Sequence, residues 1–235
     1  MYSGNQTTIL SKVSFFGKPK NMERVVNVTL LPAEANSGIV FKRTDLKENN
    51  LIKMSYENVK VENDKLILKN SFGNSINNFE LFLAAIWCSK IDNMLIEIDG
   101  DSIPYMDGTT EPILFALSVG KIKEFEITRK IFTINDDIGI KVGSSEISVK
   151  PSTIFKININ ISNSEFQFDN SELPFKDSLS RINENDQEKV KYFTILIISM
   201  IFLSGLYCNF EASFVGFDKK MIVEFFSNLF NKRIG

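Results

Sequence analysis

Apolar and polar positions alternate most regularly where Phe155, Ile157, Ile159 and Ile161 are interleaved with Lys156, Asn158, Asn160 and Ser162. A period of two belongs to a strand with one buried face, so a strand is predicted there. Shorter stretches of the same kind predict strands over 26–30, 39–42, 94–98, 138–142, 146–149 and 210–214. Helical spacing and length predict helices over 76–89, 110–119, 188–204 and 217–231. The second is punctuated by Thr110 as a candidate cap, Pro112 in the first turn and Gly120 as the stop. Residues 163–187 are polar and acidic and predict a surface loop, with at most one short element near 175–179.

The two halves of the chain share an order: several strands, a long apolar helix, one strand and a final helix. That order predicts a tandem duplication, with a first half over 1–125, a charged joint over 121–126 and a second half over 126–235. A sheet with one apolar face needs a layer of helices over it, so each half is predicted to be a two-layer α+β unit. The very apolar helix at 188–204 predicts that the halves pack helix layer to helix layer.

The chain has 235 residues, of which 43% are apolar and 24% charged, a composition that supports one large or two small folded domains. It contains no histidine. Histidine-dependent acid–base chemistry is therefore excluded, and the commonest transition-metal ligand is missing. A net charge of -2 gives no overall attraction to nucleic acid or to an anionic membrane. Cys88 and Cys208 are too few and too far apart for a disulfide framework or a four-thiolate site, and both are expected reduced and buried. The first residues, Met1-Tyr2-Ser3-Gly4-Asn5-Gln6, do not read as a secretory signal, so a cytoplasmic location is expected. The uncharged run 192–208 reads as a helix buried in protein. A membrane anchor is the alternative, against which its length falls short of a ~30 Å hydrocarbon core.

Three stretches carry a resemblance: Leu31-Pro-Ala-Glu-Ala-Asn-Ser-Gly-Ile-Val-Phe-Lys-Arg-Thr-Asp-Leu46, the run Ile76-Asn-Asn-Phe-Glu-Leu-Phe-Leu-Ala-Ala-Ile86, and Ile91-Asp-Asn-Met-Leu-Ile-Glu-Ile98 followed by Ile103-Pro-Tyr-Met-Asp-Gly108. They resemble the UDP-3-O-acyl-N-acetylglucosamine deacetylase (LpxC) family, cytoplasmic zinc hydrolases of lipid A biosynthesis built from two α+β halves. In that family a Val-Glu-His motif on the first-half helix supplies a general base and a zinc ligand. The matching residues here are Phe79-Glu80-Leu81, which keep the carboxylate and replace the ligand by a hydrocarbon. The family's His-Lys-x-x-Asp arrangement corresponds to Val190, Lys191 and Thr194, so only the lysine survives. Its later Gly-His pair corresponds to Gly216-Phe217. The family's insert along the acyl-chain passage has no counterpart between Ile161 and Glu188.

Taken with those substitutions, the resemblance implies no metal site, no cofactor and no active catalytic residue, with Glu80 and Lys191 as vestiges. Glu80 then reads as a helix-surface carboxylate or one paired with lysine, Lys191 as an exposed side chain, and Met106-Asp107-Gly108 as the turn into the Thr110 helix. The expectation is an inactive relative, not an enzyme, that acts by binding a protein partner or within an assembly, with nucleotide-sugar binding disfavoured. The alternative is a deacetylase of the same substrate with an unorthodox or absent metal site.

Overall fold

The structure is a computed structural model, and it describes residues 4–20, 22–63, 65–129, 131–153, 156–161, 164–169, 207–216 and 219–231. The chain divides after Arg129 into two compact units.

In the first unit, β1 (Asn5–Ile9) pairs antiparallel with β10 (Ile122–Thr128). A five-stranded sheet has the order β2 (Val13–Gly17), β3 (Val26–Pro32), β9 (Met94–Ile98), β4 (Ile39–Arg43) and β5 (Leu51–Lys53). Its neighbours are antiparallel except β4 and β9, which run parallel. A small antiparallel sheet joins β6 (Val59–Glu62), β7 (Lys65–Lys69) and β8 (Ser75–Asn77). Two helices complete the unit, α1 (Glu80–Cys88) and α2 (Glu111–Gly120).

The alternation of the strands decides which face is covered. Val28 and Leu30 of β3, Phe41 of β4, and Ile96 and Ile98 of β9 are fully buried. The Phe82 ring of α1 lies 6.3 Å from that of Phe15 and 6.1 Å from that of Phe41, so α1 is seated on this face. Six consecutive residues of α1, from Phe82 to Trp87, are buried. Each large side chain among them contributes about 1.5–3 kcal/mol by leaving water.

The second unit repeats the strand plan. Its sheet has the order β12 (Ile138–Val142), β13 (Ser145–Pro151), β16 (Tyr207–Val215), β14 (Lys156–Ile161) and β15 (Ser164–Asp169), again antiparallel except for one parallel pair, β14 and β16. β11 (Ile131–Thr133) runs parallel to the start of β16. β1 makes a parallel bridge, Thr8 to Asn93, at the corresponding end of β9. The C-terminal helix α3 (Lys219–Asn231) buries Met221, Ile222, Phe225 and Phe226, and the Phe226 ring lies 6.3 Å from Phe214 of β16.

Both units are therefore α+β, and all seven strands predicted from alternation are present. Five expectations are corrected. Residues 164–169 form β15, because Phe166 and Phe168 alternate with polar residues and pair with Ile159 and Ile157 of β14. The helix expected from residue 76 begins at Glu80, because 75–77 are claimed by the ladder with β7. Residues 122–126 of the charged joint lie in β10, whose backbone pairs with β1 although its side chains are almost all exposed. Thr110 makes no side-chain cap bond to α2. Instead the Thr109 hydroxyl accepts from Glu111 N at 3.3 Å. The run 192–208 is not helical to its end, since Tyr207 and Cys208 begin β16. The rest of that run, the helix expected over 188–204 and the element near 175–179 lie outside the described residues. No helix among the described residues is long and apolar enough to cross a membrane.

Candidate functional site

The one described element that carries a candidate catalytic side chain is α1, with Glu80 in its first turn and Leu81 beside it, both half-buried. A carboxylate there faces the positive end of the helix dipole, worth about 0.3–1 kcal/mol. The cap residue Phe79 is fully buried and makes no side-chain cap bond. The start of α1 is instead held from the residues before it. Asn77 donates through both N and Nδ2 to Asp101 O, at 2.8 and 2.9 Å, and Ile103 N donates to Asn77 O at 3.1 Å. Asn78 sits in the left-handed region at φ 56° and donates through Nδ2 to Ser102 Oγ at 2.6 Å.

Behind β8 lies an ion pair. Arg43 Nε and Nη2 donate to the two Asp45 oxygens at 2.8 and 2.7 Å, while Nη1 donates to Ser75 O at 2.9 Å. The hydrogen-bonded guanidinium holds the Asp45 carboxyl below its ordinary value, and the same bond raises Arg43. This fork fixes the strand that leads into Asn78.

The other motif residues are structural. Asp92 accepts from Arg129 Nε at 2.7 Å and Nη2 at 2.8 Å, and from Thr7 N at 2.7 Å. Arg129 Nη2 and the Thr7 hydroxyl both donate to Lys90 O. Asn93 Oδ1 accepts from Gly38 N at 3.0 Å, and Asn93 Nδ2 donates to Gln6 Oε1 at 3.0 Å. Met106-Asp107-Gly108 forms the expected turn. Asp107 Oδ1 accepts from Thr109 N at 2.9 Å, and Gly108 takes φ 79°, where an added Cβ would lie 2.5 Å from Tyr105 Oη. Gly216 ends β16 at φ 73° with no room for a side chain beside Ser145.

Cys88 is a free, half-buried thiol in the last turn of α1, and burial pushes it up to about 12. It stays protonated at neutral pH and is a poor metal ligand in that state. Among the described residues no group of three or more Cys, Asp or Glu could hold a metal ion, and Leu81 offers no lone pair. The described residues therefore do not fit a zinc site. Val190, Lys191, Thr194 and Phe217 lie outside the described residues. Asn78 and Ser102 were not singled out from sequence. The available signal was an Asn-Asn pair before an apolar run, since asparagine tolerates the left-handed region.

The sequence profile described as "LpxC: UDP-3-O-acyl N-acetylglycosamine deacetylase" matches residues 6–188. The UDP-3-O-acyl-N-acetylglucosamine deacetylase of Shewanella denitrificans is 34% identical over 156 residues, which cover 66% of this chain and 51% of that protein. That of Shewanella baltica OS155 is 33% identical over 156 residues with the same coverage. The chain spans about half the length of the curated relatives it matches. These matches overturn the expectation that the chain is not an enzyme, since both relatives are named for an enzymatic reaction. A hydrocarbon at position 81 removes one donor, but it does not remove the neighbouring carboxylate that could take a proton. With α1 and its flanking motifs inside the matched region, the chain belongs to the UDP-3-O-acyl N-acetylglycosamine deacetylase (LpxC) family.

Proposed function

We propose that the chain hydrolyses the acetamide of a UDP-linked 3-O-acyl-N-acetylglucosamine, a step of lipid A biosynthesis, in the cytoplasm, with a donor set at the reacting carbonyl that differs from that of its relatives. The observation that carries this reading is the family match across 6–188, which includes Glu80 in the first turn of α1.

Amide hydrolysis needs a base that takes a proton from water, a positive group for the developing oxyanion and a proton for the departing nitrogen. Glu80 is assigned the first role. Once protonated it also supplies the third. Lys191 is assigned the second, as a cation that steadies the oxygen. Water forms the new C–O bond, the C–N bond breaks, and acetate and the free amine leave.

The test is acetate release from UDP-3-O-acyl-N-acetylglucosamine by the full chain, measured beside its metal content. Release by the wild-type chain is expected, with a loss of at least about a hundredfold in Glu80→Gln, the scale of a removed general base. Wild-type release no greater than that of Glu80→Gln would overturn the proposal.

A further inference from the structure

We propose that Asn78, through its bond to Ser102, is the positioning residue that sets where Glu80 meets the substrate. This inference rests on the deacetylase reading above and adds to it a residue outside the Phe79-Glu80-Leu81 stretch.

Six consecutive buried residues stabilise α1, but apolar burial has no direction, so it does not by itself fix the helix along or about its axis. The usual device at a helix start, a side-chain cap, is missing, because Phe79 contributes none. Directional bonds at its two ends supply orientation, and those nearest Glu80 lie just upstream. Asn77 provides two, but both go to the backbone oxygen of Asp101 and continue the contact of β8 with the 101–103 segment.

Asn78 is different. It is exposed, it stands two residues before Glu80, and it turns the chain from β8 into α1 through a left-handed φ of 56°. Its amide donates at 2.6 Å to Ser102 Oγ, and Ser102 is only 3% exposed. It is therefore the last directional tie to a buried partner before the candidate base. A misplacement of about 1 Å at a reacting group costs on the order of a hundredfold in rate.

Two variants test this. Asn78→Gly keeps the left-handed backbone, which glycine adopts freely, and deletes the bond. Ser102→Ala deletes the same bond from the buried side. With UDP-3-O-acyl-N-acetylglucosamine as substrate, each is expected to lower kcat about tenfold to a hundredfold while KM stays within about twofold. The melting temperature is expected to stay within about 4 °C of wild type. Unchanged kcat in both variants of an active protein would overturn the positioning role and leave the deacetylase reading standing. A parallel loss of kcat, KM and melting temperature would also overturn it, as the mark of a purely structural bond. A wild-type chain that releases no acetate would overturn the deacetylase reading and this inference with it.

Discussion

The five-stranded sheet of the first unit and the five main strands of the six-stranded sheet of the second share strand order and strand sense, yet the helices on them are different objects. α1 is buried along six consecutive residues, whereas α3 has a buried face of Met221, Ile222, Val223, Phe225 and Phe226 set against exposed Lys220, Glu224 and Asn228. An amphipathic helix carries its own orientation, because rotating it would bury charge and expose phenylalanine. A helix that is apolar all round carries no such information. Its direction must be supplied by polar contacts at its ends, and the first unit has them: Asn77 and Asn78 before α1, and Asp92 and Asn93 after it. One sheet plan thus accommodates both kinds of helix, and the enclosed one presents the candidate base.

The largest test of this contrast is truncation in the two cores. Phe82→Ala and Phe226→Ala each remove a fully buried ring, and each is expected to cost about 3–5 kcal/mol in chemical denaturation. Hydrogen exchange should assign the first loss to residues 4–129 and the second to the remainder. Equal loosening of both regions in either variant would break the comparison. A smaller effect is expected from Asp92→Ala, which withdraws two short bonds from the buried Arg129 guanidinium. About 3 kcal/mol is the scale for losing one member of a buried ion pair. The loss should appear in the exchange of β1 and β10 amides.

The smallest effect is tied to pH. Because Arg43 lowers the Asp45 carboxyl in the folded protein, the contribution of this pair is fully present above the ordinary aspartate value near 3.9 and is lost as pH falls through the lower folded value. Asp45→Asn is therefore expected to cost about 1.5–3 kcal/mol at pH 7, the scale of hydrogen bonds to a charged group. The difference from wild type should shrink as pH falls below the ordinary aspartate value and through the lower folded one. A constant difference across that range would show that the carboxylate charge plays no part in fixing β8.

What could be read from the sequence follows the same division. Strands with one covered face announced themselves, as Val26, Val28 and Leu30 did in β3. β10 did not, because Ile122–Thr128 pairs through its backbone while its side chains stay exposed, so no apolar period marks it. β15 carries a weak signal, because two phenylalanines, Phe166 and Phe168, stand in an acidic stretch. At the candidate site, Glu80 was visible through the motif around it. Its support was not, since the bond from Asn78 to Ser102 spans 24 residues and depends on a left-handed backbone that neither neighbour dictates. Directional ties between distant polar residues leave little trace in hydrophobic patterning.

Arg129 closes the first unit, its N donating to Gly4 O and its fork gripping Asp92. A mechanical pull on the chain from beyond that point meets this anchor before it reaches Asn5 and Thr128, the outermost rung of the β1–β10 ladder. Strain arriving along the backbone is borne there first, and the seam is shielded from being unzipped from its free end.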